Sequence, residues 1–288
     1  MEDFWKPYSE PEKLSSSEFV GETYKDSKIL IATMNIRPTK HISPIPNISN
    51  LLLVNKNEAK TFQTAKRAEE HATGRYLLEY ALRIWDKYLD LSQVEIKREI
   101  KTRRPFLSWI EGTYQGKKLP EFSISHSEGM AIIALCGGLF SIGIDIEPLN
   151  QERSENLMEF VSGGDELNFL KNQWNQDVVF GTKTLNTLWT LKESVMKAVG
   201  IGMGINPISI EIPSKIMKIL PIEKSNFQLE YLGSNLDIFQ RTIGSDNPYS
   251  LSIAIRNKSE SELPQLTQVE QEMIDALNSS NNIGCSNN

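Results

Sequence analysis

The stretch Ile142-Gly-Ile-Asp-Ile-Glu147 decides how the chain is read. Its alternation is that of a strand, with Ile142, Ile144 and Ile146 on one face and Gly143, Asp145 and Glu147 on the other. Two carboxylates two residues apart on one face stand roughly 7 Å apart, beside an unobstructed glycine backbone. Such a pair suits a hard divalent cation, which takes one or two protein carboxylates and fills its shell with water and substrate phosphates. An ordinary strand with a solvated acidic face has the same pattern, so the neighbouring segments must decide.

Downstream, residues 185–199 repeat at helical spacing: Leu185, Leu188, Trp189, Val195, Met196 and Val199 fall in one stripe. Lys192 projects into the middle of that stripe, where it either snorkels to water or meets an anion. Glu193 and Lys197, four residues apart, are neighbours on its border and read equally as a helix-stabilising pair. Upstream, Phe122-Ser-Ile-Ser-His-Ser127 reads as a strand with His126 on the face of Phe122 and Ile124. Ser123, Ser125 and Ser127 point the other way, so Ser125 and His126 diverge and cannot act as nucleophile and base. Hydroxyls and an imidazole at a strand end suit a phosphate anchor, although a lone histidine is commonly structural.

Several chemistries are absent from the pattern. There is no G-x-S-x-G elbow, Walker A motif, H-E-x-x-H or C-x-x-C. Gly200, Gly202 and Gly204 follow a helix instead of opening one, which excludes a dinucleotide loop. The basic residues Lys66, Arg67 and Arg75, and the run Arg103-Arg104-Pro105, read as surface when taken singly.

The 288 residues are 39% hydrophobic and 24% charged, which excludes a disordered chain and a membrane protein. Cys136 and Cys285 cannot build a disulfide framework, and the opening Met1-Glu-Asp-Phe-Trp5 shows no secretory signal, so a cytoplasmic protein is expected. Residues 1–27 carry seven acids and three bases, and residues 257–288 five acids and one base; the overall charge is −6. The middle is mildly basic, which argues against nucleic acid but allows a local phosphate site.

The expected elements are a strand at 28–34, a Pro-broken loop, helix from 57 to 89 interrupted by Gly74, and strands at 94–100, 121–126, 130–136 and 140–147. Gly129 to Ile144 suits a buried hairpin. A second helical half starts near Glu152, short strands at 208–212, 227–232 and 249–255 follow, and an amphipathic helix is expected at 265–277 before a polar end. This order predicts α+β architecture in two similar halves.

Taken together, F-S-I-S-H-S (122–127), G-I-D-I-E (143–147) and W-T-L-K-E-S-V-M-K (189–197) resemble the 4′-phosphopantetheinyl transferase superfamily. The likeness is to its surfactin-synthetase-activating, single-chain type and spans about residues 28–256. It implies a 4′-phosphopantetheinyl transferase-like fold of two pseudo-symmetric α+β halves, about 28–141 and 142–256. The acidic arm 1–27, which mixes Ser, Pro, Glu and Lys with no period and reads as a tail or loosely docked arm, and the acidic tail 257–288 fall outside it.

By that resemblance, Asp145, Glu147 and Glu193 hold Mg²⁺ on the pyrophosphate of the substrate coenzyme A. Ser125 and His126 contact its 3′-phosphoadenosine end. Lys197 and Lys192 match the two lysines of the W-x-x-K-E motif, and Glu166 matches an acidic residue between motifs. Arg75 and Lys60 match basic positions in the first half. Arg104 stands where members often have the lysine of Gly-Lys-Pro, and a longer insertion (107–120) follows. The activity implied is transfer of 4′-phosphopantetheine from coenzyme A to a serine of an apo acyl or peptidyl carrier protein by a monomer, with Glu193 and Lys197 as catalytic residues. A degenerate relative that binds coenzyme A or carrier without turnover, and an unrelated Mg²⁺ phosphohydrolase, are the competing readings.

Overall fold

The structure, a computed structural model, describes residues 4–21, 24, 27–38, 45–113, 117–201 and 204–258. Over these residues the chain forms two compact units. The first comprises Met1–Lys97, Pro105–Gly138 and Ile144–Ile146, and the second Arg98–Arg104, Leu139–Gly143 and Glu147–Asn288. The expected helix at 265–277, Cys285 and the rest of the tail beyond 258 lie outside the described residues.

The first unit begins with strand β1 (Glu12–Leu14), helix α1 (Ser16–Val20) and strand β2 (Ile29–Asn35). Helices α2 (Lys56–Ala59) and α3 (Ala65–Trp85) follow, then β3 (Val94–Arg98), β4 (Pro105–Trp109), β5 (Glu121–Ser127) and β6 (Met130–Cys136). Its main sheet runs β1-β2-β6-β5, all antiparallel. Leu30, Ala32 and Met34 on β2 and Ala131, Ile133 and Leu135 on β6 share the alternate positions that meet Leu77, Leu78 and Leu82 of α3. β3 and β4 make a separate two-stranded sheet.

Two expectations change here. Helix α3 runs through Gly74 without a break: an interior glycine costs a helix only about 1 kcal/mol, which the packing of α3 on the sheet offsets. The helical segment divides instead at residues 60–64. The arm 1–27 is built into the unit over its described residues: β1 pairs with β2, and Trp5 is 3% exposed, its Nε1 donating to Glu69 Oε2 at 2.7 Å. Composition hid this, since one buried indole outweighs several solvated charges.

Strand β7 (Phe140–Pro148) belongs to the second unit except for Ile144–Ile146, and that unit further contains α4 (Asn156–Val161), α5 (Gly164–Gln176), α6 (Val178–Val199), α7 (Ser214–Met217), β8 (Lys224–Tyr231), β9 (Ser234–Ile243) and β10 (Tyr249–Asn257). Its sheet runs β7-β10-β9-β8, and α6 packs on β10. β6 and β7 therefore belong to different sheets, and the hairpin expected over 129–144 is formed instead by β5 and β6 around Glu128-Gly129. The strand expected at 208–212 is a 3-10 turn, Pro207–Ser209, whose Asn206 side chain accepts from Ile208 N. No helix among the described residues is long and apolar enough to cross a membrane.

Candidate functional site

In the first unit the serine face of β5 is committed to the segment carrying Asp145. Ser123 Oγ accepts from Ile144 N at 3.0 Å, and Ser125 Oγ donates to Asp145 Oδ1 at 2.6 Å. Ser125 is 6% exposed and Asp145 4%, so the carboxylate is a buried, oriented acceptor and not a solvated surface acid. His126 points away from Ser125, as the alternation predicts; its Nδ1 is 3.9 Å from Glu70 Oε2. Arg75, on α3, is 8% exposed and donates from Nε to His71 Nε2 at 3.4 Å, while the His71 ring lies 4.8 Å from that of Phe62. Lys60 is exposed at the C-terminal end of α2.

In the second unit α6 supplies the W-T-L-K-E segment. Asp177 Oδ1 accepts from Val179 N and Phe180 N at its start, and Gly200 ends it at φ 82°. Arg104 lies over that end: it donates from Nη2 to Ser141 Oγ at 3.3 Å, and a Cβ on Gly200 would meet its Cδ at 2.9 Å. A guanidinium there also complements the negative end of the helix dipole.

Lys192 does not snorkel. It is 0% exposed, and its Nζ donates to Glu166 Oε2 at 2.6 Å, Val161 O at 2.9 Å and Pro207 O at 3.1 Å. Burial pushes its pKa down from the ordinary lysine value, and the Glu166 carboxylate pulls it back up. Glu166 Oε1 in turn accepts from Ile212 N at 2.6 Å. The anion that the stripe position asked for is thus inside the protein. An ammonium has three donors, and all three are used here, so the structure places Lys192 and Glu166 in a buried tie between α5, α6 and the 207–212 segment and not facing a ligand. Glu193 and Lys197, on the same helix, are half-buried.

Glu147 has a partner that sequence reasoning missed. Arg153 Nη2 donates to Glu147 Oε2 at 2.7 Å, and Arg153 Nε donates to Asn186 Oδ1 at 2.9 Å. Asn186, 0% exposed on α6, donates from Nδ2 to Leu149 O and Gln151 O at 3.0 and 2.9 Å. The one available signal was an amide set among Leu185, Leu188 and Trp189.

The structure thus joins Ser125 to Asp145 and Lys192 to Glu166. Among the described residues no group of three or more His, Cys, Asp or Glu side chains is gathered to hold a metal. The donor set still fits Mg²⁺: two carboxylates on one strand, each oriented by a hydrogen bond, supply hard oxygens, and this ion uses one or two of them with water and substrate phosphates.

A family model of the 4′-phosphopantetheinyl transferase superfamily matches residues 141–254. The matched segment contains Asp145, Glu147, Glu166, Lys192, Glu193 and Lys197, while Ser125, His126, Arg75, Arg104 and Lys60 precede it. No curated protein matches the chain.

Proposed function

We propose that the protein transfers the 4′-phosphopantetheine group of coenzyme A to a serine hydroxyl of an apo acyl or peptidyl carrier protein, releasing 3′,5′-ADP. The observation that carries this reading is the superfamily match over 141–254, which includes D-I-E and W-x-x-K-E in order. Ser125-His126, upstream of the match, extends the likeness toward the single-chain, surfactin-synthetase-activating type with two related halves. The protein acts in this reading as a cytoplasmic monomer.

Asp145, Glu147 and Glu193 would hold Mg²⁺, which when bound neutralises charge on the pyrophosphate. Glu193, directly or through a water, takes the proton of the carrier serine. The serine oxygen then bonds to the β-phosphorus as the bond from that phosphorus to the bridging oxygen breaks. The ammonium of Lys197 offsets charge on the departing 3′,5′-ADP. His126 and Arg75 are assigned to the nucleotide end of coenzyme A, with Arg104 and Lys60 as further basic contacts. Lys192 and Glu166 act through the fold.

The test is incubation of protein, coenzyme A, Mg²⁺ and an apo carrier, read as a mass increase of the carrier by one phosphopantetheine. The reading requires that increase and its loss in excess EDTA. Coenzyme A binding without any shift of the carrier would favour the degenerate relative.

A further inference from the structure

Glu147 is the second acid of D-I-E, and its partner Arg153 is part of a hydrogen-bonded chain within the second unit. Asn186 is the fixed point. It sits fully buried on α6, and both of its side-chain donor bonds go to backbone carbonyls, Leu149 O and Gln151 O. That leaves its Oδ1 aimed at Arg153 Nε, 2.9 Å away. The guanidinium is planar, so fixing Nε also fixes the direction in which Nη2 points, and Nη2 meets Glu147 Oε2 at 2.7 Å. The side chains of Arg153 and Glu147 are 20% and 15% exposed, so this pair is shielded enough to hold its geometry.

We propose that Arg153, held by Asn186, is a positioning residue for a divalent cation: it sets the plane of the Glu147 carboxylate that coordinates the ion. The inference rests on the Mg²⁺-dependent reading above. A hydrogen-bonded partner of a coordinating carboxylate lowers the cost of ordering it, and loss of such partners typically weakens metal affinity about 10- to 100-fold. The opposing effect is electrostatic, since a cation beside the ligand repels the metal. For Arg153 to favour the ion, the ordering has to outweigh this repulsion, and the sign of the change in metal affinity on removing the guanidinium decides between them.

The experiment titrates Mn²⁺, followed by its free-ion paramagnetic resonance signal, into protein saturated with coenzyme A. Arg153→Met and Arg153→Lys are both expected to weaken Mn²⁺ about 10-fold or more, because lysine keeps the charge but lacks the planar fork that aims one N–H at Asn186 and another at Glu147. The apparent KM for Mg²⁺ should rise by a similar factor, while kcat at saturating Mg²⁺ stays within about three-fold of wild type and metal-free coenzyme A binding is unchanged. Unaltered or tighter Mn²⁺ binding in Arg153→Met overturns the proposal, as does a loss confined to coenzyme A affinity. Asp145→Asn separates the two levels: if it binds Mn²⁺ as wild type does, the metal assignment itself fails, whatever Arg153 does. Thermal unfolding of each variant confirms that the fold is intact.

Discussion

Lys192 Nζ lies 2.6 Å from Glu166 Oε2 with no exposure to solvent, and the second oxygen of Glu166 holds Ile212 N at 2.6 Å. Removing one charge of a buried pair leaves the other uncompensated, which costs about 3–5 kcal/mol. Lys192→Met is expected to lose that much. Lys192→Met with Glu166→Gln should recover a large part, because the amide still accepts from Ile212 N and carries no charge. Urea unfolding midpoints decide; equal losses in the single and double variants would refute the charge argument.

Much of this was legible beforehand, and the misses share a physical cause. Periodicity marked β2, β5, β6, β7 and α6 because each buries a regular stripe, and Lys192 stood out as an interruption of one. It could not say which anion Lys192 meets, since Glu166 is 26 residues away and only tertiary packing brings it there. The pattern left open whether Asp145 faces solvent, because alternation assigns faces but not what covers them. Arg153, in the polar run Gln151-Glu-Arg-Ser-Glu155, has no local signal at all.

Gly143 shows the same limit. The sequence suggested that its bare backbone served the acids beside it. A Cβ at Gly143 would instead lie 1.9 Å from Ser194 O and 2.5 Å from Ala198 N, backbone atoms of α6 that cannot swing aside. Gly143→Ala should therefore cost about 3 kcal/mol by overpacking. At Gly163 the nearest atom is the movable Ile208 Cγ2 at 2.9 Å, so Gly163→Ala serves as the comparison and should lose clearly less. A Gly143→Ala protein as stable as wild type would sink the close-packing argument.

The bond from Ser125 to Asp145 makes two variants of the same acid distinguishable. Asp145→Ala strands the buried Ser125 hydroxyl, at a cost of about 1–3 kcal/mol. Asp145→Asn keeps an acceptor for Ser125 and removes the charge. On the proposed transfer reading both should abolish carrier modification, and only the alanine variant should unfold at appreciably lower urea. Residual transfer by the asparagine variant near the wild-type rate would count against Asp145 as a metal ligand.

The arm supplies a pH signature. Burial pushes the Glu69 carboxyl above the usual carboxylate range, while the hydrogen bond from Trp5 Nε1 and the nearby Arg37 guanidinium pull it down. A carboxyl raised in the folded state binds more protons folded than unfolded between its two values. The stability it contributes is complete below the unfolded pKa, about 4.3, and is lost as pH rises through the folded one. Glu69→Gln cannot ionise and retains an acceptor for Trp5. The stability of wild type relative to Glu69→Gln should therefore be greatest near pH 4 and decline toward neutrality. Glu79, raised by burial against the N–H groups of Leu52 and Leu53, is present in both proteins and cancels. Trp5→Phe removes the indole donor that pulls Glu69 down, so in that background the decline should steepen. Urea midpoints from pH 4 to 7 for the four proteins measure the effect, and a difference that is flat or grows with pH would show that Glu69 is not held in this way.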